Sequence, residues 1–232
     1  MRIAILIFDR ITALDAVGPY EVLARLPGAE VIFVGKATGV VRTDNRCLGL
    51  HVDRALADVP AADILVVPGG FGWRALAEDP EVLAWLRQIH AGARITASVC
   101  TGSLLLGSAG LLAGVPATTH WNYLGELARH GAVTTNARIV EHGTFITCAG
   151  VSAGIDMALA LAARLAGEDV ARAIQLGIEY DPAPPFDAGS PTKAPPHIID
   201  AVRARLDARD ARESRELPIA ANPPPSSPPA NP

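Results

Sequence analysis

Two spacings of apolar residues alternate along the chain. Unbroken runs such as "RIAILIF" (2–8), "AEVIFVG", "ADILVVPGG" and "ITASV" read as strands buried on both faces, the pattern of a parallel sheet. Between them apolar residues recur at helical spacing. "ALDAVGPYEVLARL" predicts a helix that tolerates Pro19 near its first turn, and "DPEVLAWLRQIHAGA" one that starts at Asp79-Pro80 and stops near Gly92. "VVRTDNRCLGLHVDRALAD" is less regular and predicts a hairpin or edge strands. "ITASV" runs straight into a small-residue helix at Cys100. After it come a short turn and helix in "ATTHWNYLGELARHGA", a hairpin in "ARIVEHGTFITCAG", and helices in "GVSAGIDMALALAARLAG" and "EDVARAIQLGIEYD". A proline-rich loop, "APPFDAGSP", precedes a terminal amphipathic helix in "HIIDAVRARLDARDARE".

Strands alternating with helices predict an α/β fold, with one mostly parallel central sheet sandwiched by helices. The main domain is expected over 1–190, with a C-terminal helix at 191–216 packed on it or extending from it. From Leu217 onward, "LPIAANPPPSSPPANP" lacks the apolar content to fold, so 217–232 is expected to be a disordered tail. No internal repeat is visible.

Composition narrows the class. With 232 residues, half of them hydrophobic, the chain can bury a large single core. The net charge of −4, with scattered arginines, gives no broad attraction to nucleic acid or anionic membrane. The first apolar run is broken at once by Asp9 and Arg10, too early for a signal peptide or a membrane span, and the expected compartment is the cytoplasm. Cys47, Cys100 and Cys148 are too few for a disulfide framework, and none lies in a CxxC pair of the zinc type.

The chemistry centres on Cys100. Ligands of parallel α/β sheets gather at the carboxyl ends of strands, and Cys100 directly follows "ITASV". A sharp strand-to-helix turn would push its side chain outward, with Ser98, Thr101 and Gly102 small enough to let the turn close. A helix N-terminus at that point is expected to favour thiolate over thiol. The alternative is a small buried residue, the commonest fate of an unpaired cysteine. Position alone leaves both open. Two further segments reach the same sheet edge: Gly69 and Gly70 in "VVPGG", whose N–H groups can stabilise an anion, and Asp15 in "ALDAVGP". Taken singly, each also reads as an ordinary turn and an ordinary helix cap.

"LVVPGGFG", "SVCTGSLLLGSAGLL" and "ATTHW", at these spacings, resemble the ThiJ/PfpI superfamily, related to class I glutamine amidotransferases, over residues 2–190. The resemblance implies a flavodoxin-like fold with a nucleophile elbow. "LDAVGPYEVL", "CTGS" and "IEYDPAPPFDAGSP" look most like the isonitrile-hydrating members, which add water to R–NC and release an N-substituted formamide with no metal and no organic cofactor. Carried over to this chain, Cys100 matches the nucleophile, Asp15 the essential acid, and Thr101 the hydroxyl beside the sulfur. The expected route is attack of Cys100 on the isonitrile carbon, a proton from a neutral Asp15, and hydrolysis of the resulting thioimidate. Gly69, Gly70, Phe71, Trp73 and His120 are the candidates to line the substrate pocket. His120 is equally readable as a packing residue beside Trp121.

Departures from relatives exclude some activities. Amidotransferases of this fold pair the cysteine with an H-x-E triplet, and none occurs in the chain. Protease-like and glyoxalase-like members place His after the thiol and Glu on the first helix, where Thr101 and Asp15 stand here. Two other roles stay open: a ligand-sensing domain of the kind that precedes DNA-binding regions in AraC-type regulators, and a redox-sensing thiol. The resemblance also implies a homodimer acting on a small molecule. Cys148 reads as core, Cys47 as surface or edge, and Asp156 as a hydrogen-bonding residue holding its helix against the elbow.

Overall fold

The computed structural model describes residues 1–216; the expected disordered tail, 217–232, lies outside the described residues. In chain order the elements are β1 (Arg2–Leu6), α1 (Ala13–Leu23), β2 (Glu30–Gly35), β3 (Gly39–Arg42), β4 (Gly49–Val52), β5 (Arg54–Ala55) and β6 (Ile64–Val67). There follow α2 (Trp73–Ala77), α3 (Pro80–Gly92), β7 (Ile95–Val99), α4 (Gly102–Ser108), β8 (Pro116–Ala117) and α5 (Leu124–Arg129). The chain continues through β9 (Val133–Thr134), β10 (Ile139–His142), β11 (Phe145–Cys148), α6 (Ala153–Ala166), α7 (Glu168–Gly177) and α8 (Pro196–Glu216).

The main sheet has seven strands in the order β10-β11-β7-β6-β1-β2-β5, parallel except for the β10–β11 hairpin. The apolar runs occupy its centre. Ile64–Val67 and Ile95–Val99 are buried at every position, because parallel neighbours and helix layers cover both faces. The chain runs from β1 outward to β2 on one side and returns to β6 on the other. Right-handed crossovers therefore place α1 and α3 on opposite faces. α1 packs on α6 and α6 on α7, while α2, α3 and α4 pack among themselves.

The irregular stretch after β2 resolves into both expected forms, the β3–β4 hairpin and the edge strand β5. The α3 boundaries match expectation, with the Asp79 side chain accepting the N–H groups of Glu81 and Val82. Three details differ. Pro19 sits in the interior of α1 rather than near its first turn, where it removes the backbone donor that the Asp15 carbonyl would otherwise receive. The segment after "ATTHW" adds a small β8–β9 pairing to the expected turn and helix. α7 stops at Gly177, and Glu179 takes φ +52°, so "IEYD" leaves the helix.

α8 lies back against the body through mostly polar contacts. Arg74 meets Asp210 at 3.2 Å, the Asn122 side-chain amide donates to Asp207 at 3.1 Å, and Arg10 pairs with Glu213. The Arg203 guanidinium stands 5.6 Å over the Trp121 ring.

Candidate active site

β1 and β6 are neighbours from which the chain departs in opposite directions, so their carboxyl ends open a crevice at the topological switch point. Three segments converge there: the start of α1 after β1, the Gly69-Gly70 turn after β6, and Cys100 after β7. Cys100 holds φ at +55°, a left-handed conformation that costs on the order of 1–3 kcal/mol outside glycine. Its neighbours hold it in place. The Cys100 N–H donates to the Cys148 carbonyl at 3.1 Å, and the Cys100 carbonyl accepts from the hydroxyls of Thr119 at 2.9 Å and Ser103 at 3.2 Å. The strand-to-helix elbow is thus braced by three neighbouring segments.

Asp15 is wholly buried, and no cation among the described residues pairs with it. Its Oδ2 accepts the Gly69 N–H at 3.0 Å. Oδ1 has no hydrogen-bond donor among the described residues, and the Cys100 thiol lies near enough to the carboxyl to act on its proton. Burial pushes the Asp15 pKa up from 3.8 to about 8; the Gly69 N–H and the thiol oppose this only in part. Cys100 is also raised well above its ordinary value, first by burial and then by the charge Asp15 would carry, with the Thr101 N–H opposing. This corrects the expected thiolate. The turn is sharp, but burial and the neighbouring Asp15 carboxyl favour the uncharged sulfur, so the resting pair is a thiol and a neutral acid.

The glycine turn also behaves differently from expectation. The Gly70 N–H donates to Thr101 Oγ1 at 3.0 Å, and the Gly69 N–H is taken by Asp15, so neither is free for a substrate anion. Gly69 does not line the cavity at all; it supports the acid from behind. Both positions demand glycine. A Cβ at Gly69 would fall 2.5 Å from Thr101 Oγ1, and one at Gly70, where φ is +137°, would fall 2.4 Å from the Thr12 nitrogen.

A cavity of about 440 Å³ opens onto the sulfur. Cys100, Thr101 and Gly70 form part of its floor, and Phe71, Trp73, His120, Tyr123 and Val151 its walls. Phe71, Trp73 and His120 are thus brought together with Cys100 as expected. His120 lines the cavity and lies tilted beside Trp121, ring centroids 5.5 Å apart, with Nδ1 accepting the Asn122 N–H. Burial lowers its pKa to about 4, which leaves the ring neutral at ordinary pH. Among the described residues, no group of three or more His, Cys, Asp or Glu is placed to hold a metal ion.

Several contributors carried no signal in the sequence. Gly150 is wedged between sulfur and imidazole: a Cβ there would lie 3.0 Å from Cys100 Sγ and 2.4 Å from His120 Cδ2. The rim is built by Asp44 and Asn45 and, from α8, by Arg205, Leu206 and Arg209. Arg209 donates to the Asp44 carbonyl and stacks 4.0 Å over the Phe71 ring. A helix pattern shows which face is apolar but not where it docks. Asp156 lies apart from the elbow, paired with Arg138 and accepting the Tyr180 hydroxyl at 2.6 Å. Cys148 is core and Cys47 is exposed.

Comparison with known proteins agrees with this geometry. Residues 1–164 match the DJ-1/PfpI family. The isonitrile hydratase of Pseudomonas putida is 46% identical over 205 residues, which is 88% of this chain and 90% of that protein. The transcriptional regulator GbdR of Pseudomonas aeruginosa is 30% identical over 183 residues, covering 75% of this chain and 48% of the regulator. Among solved structures, a ThiJ/PfpI family protein from Pseudomonas syringae superposes with a TM-score of 0.87 at 38% identity, covering 92% of this chain and 89% of that one.

Proposed function

The chain belongs to the DJ-1/PfpI family, and from that premise and the site geometry we propose that it is an isonitrile hydratase, converting R–NC and water into an N-substituted formamide. The likeness to the Pseudomonas putida isonitrile hydratase over most of both chains supports the activity. The observation that carries the mechanism is a wholly buried carboxyl, Asp15, its pKa raised by burial, set behind the Cys100 thiol that forms part of the cavity floor.

Such a pair suits an isonitrile, whose terminal carbon has both a lone pair and electrophilic character. The Asp15 O–H gives its proton to that carbon while the Cys100 sulfur bonds to it. The carboxylate so formed takes the thiol proton. The product is a neutral thioimidate, R–N=CH–S–Cys100, and Asp15 ends protonated. No separated charge has to persist in a buried site, which is why raised pKa values on both groups favour this route.

A water then adds to the thioimidate carbon as Asp15 passes its own proton to the nitrogen and takes one from the water in return, giving R–NH–CH(OH)–S–Cys100. The C–S bond breaks as the adduct's hydroxyl becomes the formamide carbonyl, its proton passes to the sulfur by way of Asp15, and the formamide leaves. Thr101 is the residue to hold that water. Its hydroxyl oxygen accepts from Gly70 but donates only at 3.5 Å to the Gly70 carbonyl, so its proton can turn into the cavity. Neutral His120 and the aromatic walls keep the floor uncharged, which fits the uncharged –NC group. The three free thiols accord with a reducing cytoplasm as its place of action.

Purified protein given cyclohexyl isocyanide should release N-cyclohexylformamide, with Cys100→Ala reducing turnover to background and Asp15→Asn lowering it by about a thousandfold or more. Turnover by Cys100→Ala close to that of the unaltered chain would rule the mechanism out.

A further inference from the structure

The charges of the cavity are unevenly placed. Its floor holds a thiol and a hydroxyl, and its walls a neutral imidazole. The formal charges stand at the rim, on Asp44, Arg205 and Arg209. Two of these three are engaged. The Asp44 carboxylate accepts the Thr12 hydroxyl at 3.1 Å, and Arg209 is held between the Asp44 carbonyl and the Phe71 ring. Arg205 is exposed and lines the same cavity as Cys100, yet it has no ion pair or hydrogen bond among the described residues. It lies one helical turn before Arg209, on the face of α8 that closes over the site. The rest of the inward side of α8 is tied down: Asp207 to Asn122, Asp210 to Arg74, Glu213 to Arg10. The helix therefore holds, at the mouth of the cavity, a guanidinium with no ion-pair partner among the described residues.

The substrate's shape turns this into a preference. The C–N≡C unit is linear, so a carbon seated on the Cys100 sulfur directs its substituent away from the floor and out through the mouth. A substituent ending in a planar anion would meet Arg205 there, and a guanidinium is built to take a carboxylate through two parallel N–H donors. Asp44 opposes an anion, but Arg205 and Arg209 together outweigh it, leaving the rim one positive charge in excess. We propose that Arg205 is a specificity-determining residue that selects isonitriles whose substituent carries a carboxylate. This rests on the hydratase reading and adds the substrate class to it.

Isocyanoacetate and its methyl ester differ in that charge and little else, so they serve as the probes. The quantity to measure is the ratio of kcat/KM for the acid over kcat/KM for the ester, compared between the unaltered chain and Arg205→Ala; intrinsic reactivity cancels in that comparison. The expected result is a fall in the ratio of about fivefold in Arg205→Ala, the size of one exposed ion pair of good geometry. Arg205→Lys should retain part of the preference. High salt should lower the ratio in the unaltered chain and leave it flat in Arg205→Ala. Turnover of both probes with a ratio unchanged by Arg205→Ala would overturn the inference alone. Hydration of cyclohexyl isocyanide but of neither probe would likewise overturn the inference alone, whereas failure to hydrate all three would overturn the hydratase reading and this inference with it.

Discussion

Asp15 is a carboxyl that the fold keeps from ionising. The unfolded chain releases its proton near 3.8, whereas the folded chain holds it to about 8. Across that window the native state binds more protons than the unfolded one, so the group's contribution to stability is fully present below 3.8 and is lost as pH rises through 8. Asp15→Asn removes the penalty, because an amide has no charge to desolvate and its oxygen still accepts the Gly69 N–H. Melting curves should show the variant about 5 °C more stable than the unaltered chain at pH 8, the difference shrinking to nothing near pH 3. Cys100 and Asp15 were legible in the sequence because one directly follows, and the other comes soon after, a strand-like run at one sheet edge. Their protonation was legible for one and misleading for the other. A helix start argued for thiolate, but burial and the facing carboxyl decide the matter in three dimensions. Gly150, Ser103 and Thr119 were invisible because their service to the sulfur depends on contacts from segments three to fifty residues away.

At the scale of elements, the site depends on how closely the elbow presses against β6. A Cβ on Gly102 would fall 1.9 Å from the Val67 carbonyl oxygen, a backbone atom that cannot step aside without moving the strand. Gly102→Ala should therefore destabilise the chain by about 3 kcal/mol, seen as a lowered denaturation midpoint, with loss of activity following from loss of the fold. The strands and the α3 boundaries could be read from apolar runs and from the Asp79 cap. α8 was recognisable as a helix, but its position over the cavity was not. Its attachment uses individual ion pairs, and these leave no periodic trace in a sequence rich in arginine and aspartate.

For the whole molecule, the strand order creates the crevice before any side chain is chosen, and the carboxyl ends of β1, β6 and β7 deliver acid, turn and thiol to one place. That convergence followed from the alternating pattern alone, because a parallel sheet puts every strand-to-helix turn on the same edge. Association of two copies leaves no such pattern. We expect the homodimer implied by the family resemblance, so light scattering should give twice 24.2 kDa, and a monomer mass at micromolar concentration would contradict it. The account as a whole stands on a covalent bond between the substrate's terminal carbon and one sulfur. Intact-mass and peptide-level spectrometry of protein quenched during turnover tests this most directly. The predicted result is an adduct on Cys100 heavier by the mass of the isonitrile itself, with no water added. Turnover without any such adduct, or an adduct confined to Cys47 or Cys148, would contradict it.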